Sequence, residues 1–151
     1  MESYLLVFLG SALGGAGRYL CSGLVARRVG ETFPWGTFFV NVVGSFVIGV
    51  VYGLTSIGVP LREFVMVGIC GGYTTFSSFS LQTLTLIRED ELLRAGANVV
   101  GSVVACVAAA WLGVVAAEAS GQAGSLIASA LSAWIGYLVA ARLGQATKVS
   151  P

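Results

Sequence analysis

The chain has 151 residues, of which 56% are hydrophobic and only 10% are charged, and its formal net charge is +1. This balance lies far from that of a water-soluble domain and predicts an integral membrane protein. A charge near zero argues against a nucleic-acid partner. The absence of histidine removes the commonest general base and metal ligand, which argues against an enzyme.

Uncharged runs divide the chain into spans. Four of these runs are longer than the ~20 residues that a helix needs to cross ~30 Å of hydrocarbon. They are Thr32–Leu61, Phe64–Ile87, Ala95–Ala117 and Ala119–Ala141. Because lipid offers the backbone no hydrogen-bond partners, runs of this length predict helices, and the predicted fold class is an all-α membrane bundle.

The first helix is predicted from about Tyr4 to about Ala26, although Arg18 interrupts its apolar sequence. An arginine at membrane depth is costly in lipid, so we expect Arg18 to face the bundle or a watery mouth. A cleaved signal peptide is the alternative, and the lack of a basic flank at the N-terminus argues against it.

The second helix carries a polar residue in line with small ones. Steps of four from Asn41 lead to Ser45, Gly49 and Gly53. Small residues at this spacing let another helix approach closely, so Ser45, Gly49 and Gly53 are expected to form a packing seam. The carboxamide of Asn41 costs free energy in an apolar span unless it is paired or faces a wet cavity, which makes Asn41 a candidate functional residue.

The third span contains the segment GICGGYTTFSSFSLQTL, residues Gly68 to Leu84. Gly71 and Gly72 each weaken a helix by about 1 kcal/mol relative to alanine, and hydroxyl side chains can satisfy freed backbone groups. Two interpretations remain open, a helix broken at membrane depth and an unbroken helix with a glycine packing notch. A break would leave carbonyls that can bind a cation in a protected site.

Aromatic and polar residues follow the two glycines. Phe76 and Phe79 are three apart and so share a helix face, with Thr75, Ser78 and Gln82 forming a polar stripe beside them. A phenyl ring is electropositive at its edge, so ring edges beside hydroxyl donors can hold an anion without a fixed positive charge. The alternative is that the two rings serve only in packing, which is the usual role of an aromatic pair with this spacing.

The fourth helix presents Asn98, Ser102 and Cys106 at steps of four. These residues either face the stripe of the third span and complete a pathway, or form ordinary interhelical hydrogen bonds. No acidic residue lies deep in the first four spans, where proton- or sodium-coupled transporters commonly need one. Passive conduction is therefore favoured, and a coupled small-solute or ion transporter of the four-helix type is the alternative.

Together these segments resemble the Fluc (CrcB) family of small bacterial fluoride channels. The matching residues are GGAGRY (Gly14–Tyr19), PWGTFFVNVVGSFVIG (Pro34–Gly49), GICGGYTTFSSFS (Gly68–Ser80) and the fourth-helix line Asn98–Gly113. The resemblance implies an antiparallel, dual-topology homodimer in the bacterial inner membrane, with a broken third helix and a fluoride pathway on each side of the interface. The implied function is passive export of cytoplasmic fluoride, which lowers its toxicity.

The resemblance also assigns roles to single residues. The side chains that it places along the fluoride pathway are Asn41, Thr75, Phe76, Ser78, Phe79 and Ser102. It places Arg18 at an aqueous vestibule, and it implies that the backbone carbonyls of Gly71 and Thr74 from both subunits hold a structural sodium ion. Two positions depart from common family residues, because many relatives have Glu at Gln82 and some have Tyr at Asn98.

The last part of the chain raises a question of topology. We predict a four-helix domain over residues 1–120 and a C-terminal extension over residues 121–151. With four spans, four basic residues of the loops and ends lie on one side of the membrane and three on the other. The four are Arg27, Arg28, Arg88 and Arg94, and the three are Arg62, Arg142 and Lys148. This near balance suits insertion in both orientations. A fifth span at Ala119–Ala141 would give six against one. In a dimer of identical chains the charges therefore favour a tail at the interface or packed outside the bundle, whereas the length of the run permits crossing. If it crosses, a separately encoded partner of opposite orientation would be needed.

Overall fold

The computed structural model describes residues 2–30, 32–54 and 57–120, and the regular secondary structure among them is helical, without β-strands. The helices are α1 (Glu2–Val29), α2 (Trp35–Gly53), α3 (Val59–Arg62), a π-helical segment (Glu63–Cys70), α4 (Gly71–Tyr73), α5 (Phe76–Arg88) and α6 (Leu92–Ser120). The predicted C-terminal extension, with its alternative of a fifth span, lies outside the described residues.

Four stretches in the described part of the chain are long and apolar enough to cross a membrane. They are Ser3–Val29, Trp35–Gly53, Val59–Arg88 and Leu92–Ala119. The predicted all-α bundle of four spanning helices is thereby confirmed. The first helix runs past Ala26, and Arg27 and Arg28 lie in its last turn, where positive charge stabilises the carbonyl end of a helix.

Close backbone contacts fix the π-helical segment against α1. A Cβ added to Gly14 would meet the carbonyl of Ile69, and one added to Gly72 would meet the carbonyl of Ser11. Only glycine allows these backbones to approach so closely. The third span is thus held against α1 immediately before the residues of the candidate site.

A second glycine seam joins α2 to α6. Gly49 lies against the carbonyl of Ala110, and Gly53 lies against Val114 one turn later. The predicted packing role of Gly49 and Gly53 is confirmed, and their partner is α6. Ser45 lies on the same line but lines a groove instead.

The buried core next to the site joins three helices. Cys21 of α1, Val40 of α2 and Tyr73 of α4 pack together, and Val40 is fully buried. This cluster holds the end of α4 and the start of the polar line on α2 in fixed positions, because well-packed interiors resist small displacements.

Candidate functional site

The site is centred on two residues between α4 and α5 that are not helical. Thr74 has φ −82° and ψ 161°, and Thr75 has φ −152° and ψ 121°, so both are extended. The N–H of Thr74 still bonds to the carbonyl of Cys70 at 2.9 Å, but the N–H of Thr75 does not continue the helical hydrogen-bond pattern and needs another partner.

Asn41 of α2 supplies partners to Thr75. The N–H of Thr75 donates to Asn41 Oδ1 at 2.8 Å, and Asn41 Nδ2 donates to the carbonyl of Thr75 at 3.0 Å. The side-chain amide thereby pairs with both backbone groups of one residue. This pairing explains how a carboxamide is accommodated in an apolar span.

The hydroxyl of Thr75 organises the start of α5. Thr75 Oγ1 accepts a hydrogen bond from the N–H of Ser78 at 3.2 Å and donates to Ser78 Oγ at 3.2 Å. It also lies 3.2 Å from Ser77 Oγ. A threonine in this capping position stabilises a helix by about 1 kcal/mol. Thr75 is therefore both one of the two extended residues and a member of this polar cluster.

A groove of about 300 Å³ runs past these residues. It is lined by Asn41, Ser45, Ile48, Thr74, Thr75, Phe76, Phe79, Ser102, Val103 and Cys106. Five of the six side chains expected along a fluoride pathway share this groove, all but Ser78. The lining offers two phenyl rings, an amide and hydroxyls, and none of these lining residues is charged.

The two phenylalanines form one wall of the groove. Their ring centroids are 5.7 Å apart and the rings are tilted by 44°. The predicted common face of Phe76 and Phe79 is thus confirmed. Phe76 is 79% exposed, whereas Phe79 is partly buried. One side of the groove is therefore open on the single chain.

Ser78 faces a second cavity, of about 450 Å³, on the side of α1 and α2. Gln82 also lines it, together with Ser22, Gly23, Ala26, Gly30, Phe33, Pro34, Trp35, Gly36 and Thr37. Because the hydroxyl of Ser78 is bonded to that of Thr75, this pair of hydroxyls connects the second cavity with the groove. The spacing of the stripe indicated that Ser78 and Gln82 share a face, but not that this face meets α1.

Arg18 turns toward the bundle, as expected. Its Nη1 lies 3.4 Å from the carbonyl oxygen of Thr74. Arg18 thereby places a positive charge beside the extended residues without lining the groove itself.

The polar line of α6 faces α5, forms an interhelical hydrogen bond and also contributes to the groove. Asn98 is 1% exposed, and its Nδ2 donates to Thr83 Oγ1 of α5 at 2.8 Å. Ser102 Oγ donates to Asn98 Oδ1 at 3.3 Å and also lines the groove, as does Cys106. Thr83 was not identified from the sequence, because nothing distinguishes it from the other hydroxyl residues of α5 until the crossing of α5 and α6 is known.

Comparison with known proteins assigns the sequence to a family. A family model described as CrcB-like protein, Camphor Resistance (CrcB), matches residues 5–114. The fluoride-specific ion channel FluC of Opitutus terrae is 58% identical over 123 residues, which cover 78% of this chain and 93% of the relative. The fluoride-specific ion channel FluC of Methylocella silvestris is 54% identical over 125 residues, which cover 79% of this chain and 95% of the relative. By this match along all four spans, the chain belongs to the CrcB family.

Proposed function

We propose that the chain is a passive, fluoride-selective ion channel that exports cytoplasmic fluoride. The observation that carries the proposal is the groove, in which Phe76, Phe79, Asn41, Thr75 and Ser102 lie together with no charged lining residue. The similar channels of Opitutus terrae and Methylocella silvestris, which are named for fluoride, support this assignment.

The chemistry of the groove suits a small anion that must give up water. One N–H of Asn41 and the hydroxyl of Ser45 can replace lost hydration, whereas Thr75 and Ser102 must turn their hydroxyls away from Ser78 and Asn98 to donate to the ion. The ring edges of Phe76 and Phe79 add an electropositive surface. Conduction requires an ion to bind well enough to enter and weakly enough to leave. A site built from dipoles, with no lysine or arginine in the lining, meets both conditions.

The physiological direction follows from the membrane potential. Hydrogen fluoride enters from acidic surroundings, dissociates in the cytoplasm and is trapped as the anion. A potential that is negative inside drives that anion outward through a passive pore. The protein would thus be a multi-pass protein of a bacterial inner membrane.

An antiparallel homodimer would complete the pathway. Phe76 is 79% exposed and leaves one side of the groove open, which a second copy inserted in the opposite orientation would close. The near balance of basic residues between the two sides supports insertion in both orientations.

The extended residues also suit a structural cation. The N–H of Thr75 is bonded to Asn41, so the carbonyl of Gly71 lacks the donor that it would have in a continuous helix. The described residues contain no cluster of three or more histidine, cysteine or acidic side chains, so backbone oxygens are the ligands to consider there. We propose that the carbonyls of Gly71 and Thr74 from two subunits hold a sodium ion, which would bind the helix breaks together.

The test is ion efflux from liposomes that contain the purified protein. Fluoride should leave rapidly down its own gradient, and chloride should not. Equal fluxes of the two anions, or no fluoride flux, would contradict the proposal. Fluoride flux that requires a proton or sodium gradient would instead support the coupled transporter of the four-helix type.

A further inference from the structure

We infer that Asn41 is a positioning residue. It keeps Thr74 and Thr75, the extended link between α4 and α5, in their non-helical conformation. It thereby shapes the groove and leaves the carbonyl of Gly71 without its helical donor. Its importance for conduction rests on the proposed channel function. Its action on the backbone rests on the geometry alone.

The first argument is the reciprocal pairing. Asn41 accepts from the N–H of Thr75 at 2.8 Å and donates to the carbonyl of the same residue at 3.0 Å. By bonding to both the N–H and the carbonyl of Thr75, the side-chain amide takes the place of the backbone hydrogen-bond partners that an extended residue lacks outside a sheet. The two residues are 34 positions apart, so this is a tertiary contact rather than a local turn.

The second argument is the rigidity of α2 at this point. The preceding residue, Val40, is fully buried against Cys21 and Tyr73. One turn after Val40, Gly44 lies against the methyl group of Thr74. Asn41 is therefore carried on a well-packed turn and is held against the link.

The third argument is the number of hydrogen-bonding positions that remain. A carboxamide has two N–H donors and two acceptor positions, and Thr75 uses one of each. Asn41 can offer at most one N–H to an anion in the groove. Its larger contribution is to fix Thr75, whose hydroxyl caps α5 and whose neighbour Phe76 begins that helix.

The fourth argument is a competition for one donor. In a continuous helix the N–H of Thr75 would bond to the carbonyl of Gly71. Asn41 Oδ1 takes that N–H, and its Nδ2 satisfies the Thr75 carbonyl at the same time. The bond that shapes the wall of the groove is thus also the bond that frees the Gly71 carbonyl.

The experiment is solid-state NMR of the full-length protein in lipid vesicles, with ¹³C and ¹⁵N labels on threonine and asparagine. The readouts are the Thr75 Cα and Cβ shifts, which distinguish extended from helical backbone, and the exchange rate of the Thr75 amide. Asn41→Leu keeps much of the side-chain shape but has no polar atoms. We expect it to abolish the extended signature of Thr75, or to make its amide exchange roughly tenfold faster.

The matched control is Ser45→Ala. Ser45 lies one turn along α2 and lines the same groove, so this variant should leave both Thr75 readouts as in the wild type. Unchanged shifts and exchange in Asn41→Leu would overturn the inference. If that variant does not fold, the wild type decides, because the inference requires a dipolar contact between Asn41 Nδ2 and the Thr75 carbonyl carbon. Wild-type fluoride efflux is measured separately, so failure of the channel proposal and failure of this one are distinguishable.

Discussion

Because the ring of Phe76 is exposed, its role in conduction can be tested separately from a role in stability. It contacts Phe79 at a centroid distance of 5.7 Å, yet it is 79% exposed on the chain. A side chain with so little burial adds little to the folding of its own subunit. Its proposed value lies in the electropositive edge that it presents to the pathway.

Replacing Phe76 by isoleucine should therefore lower fluoride efflux without unfolding the subunit. Isoleucine keeps an apolar side chain but removes the aromatic edge. A loss of about 1.4 kcal/mol of anion stabilisation corresponds to roughly tenfold slower flux. Efflux from liposomes measures the rate, and denaturation by SDS in mixed micelles measures the stability.

Leu81→Ile is the matched control for Phe76→Ile. Leu81 is an exposed apolar residue of the same helix, and it is not among the residues that line the groove. Its replacement should leave efflux unchanged. If Phe76→Ile conducts fluoride as fast as the wild type, the aromatic ring is not part of the pathway.

At the scale of helices, glycines set how closely the spans approach. Gly113 of α6 lies so near to α2 that an added Cβ would meet the carbonyl of Phe46. Gly96 of the same helix has open space at its Cβ position. The two glycines have the same intrinsic helix propensity, and only their surroundings differ.

Gly113→Ala should destabilise the bundle by about 1–3 kcal/mol, because the added methyl group forces the backbones of α2 and α6 apart. Gly96→Ala adds the same methyl group where there is room. It should not lower the stability of the bundle, because nothing is displaced and alanine is a better helix former than glycine. Denaturation by SDS compares the two variants. Equal stability would mean that the α2–α6 seam tolerates a wider separation.

The hydrogen bond between α5 and α6 provides a second test at this scale. Asn98 is buried and its Nδ2 lies 2.8 Å from Thr83 Oγ1. A double-mutant cycle of Asn98→Ala and Thr83→Val should give a coupling of about 0.6 kcal/mol, the average for side-chain hydrogen bonds between membrane helices, and no more than about 1.7 kcal/mol. Additive effects of the two substitutions would show that the pair does not stabilise the crossing.

For the whole molecule, the distribution of basic residues governs orientation. If residues 119–141 do not cross the membrane, the full chain carries four basic residues on one side and three on the other, in addition to Arg18 within the first span. Ending the chain after Ser120 removes Arg142 and Lys148 and leaves four against one. Such an excess should fix a single orientation.

We therefore expect an N-terminal tag to be accessible from both sides of the membrane in the full-length protein, and from one side in the truncated chain. Labelling by a membrane-impermeant reagent in intact and lysed spheroplasts measures the two fractions. A single orientation of the full-length protein would contradict the dual-topology homodimer and favour a chain with a separate partner.

The amino-acid sequence by itself predicted the four spans of residues 1–120, three from long uncharged runs and the first from an apolar stretch interrupted by Arg18, since such stretches have no stable alternative to helices in lipid. It also determined which residues stand out, among them Asn41, Phe76 and Phe79, because polar and aromatic side chains at helical spacing are visible in a single chain. It left open whether Gly71 and Gly72 precede a break or only make a packing notch.

Only the tertiary structure decided how those residues meet. The two bonds between Asn41 and Thr75, the contact of Asn98 with Thr83 and the position of Ser78 in a second cavity each depend on how separate helices cross. Helical periodicity specifies the face that a residue occupies, but not which neighbour covers that face. That choice is made by the close approach of backbones at the glycine seams, and such contacts depend on distances that one sequence does not contain.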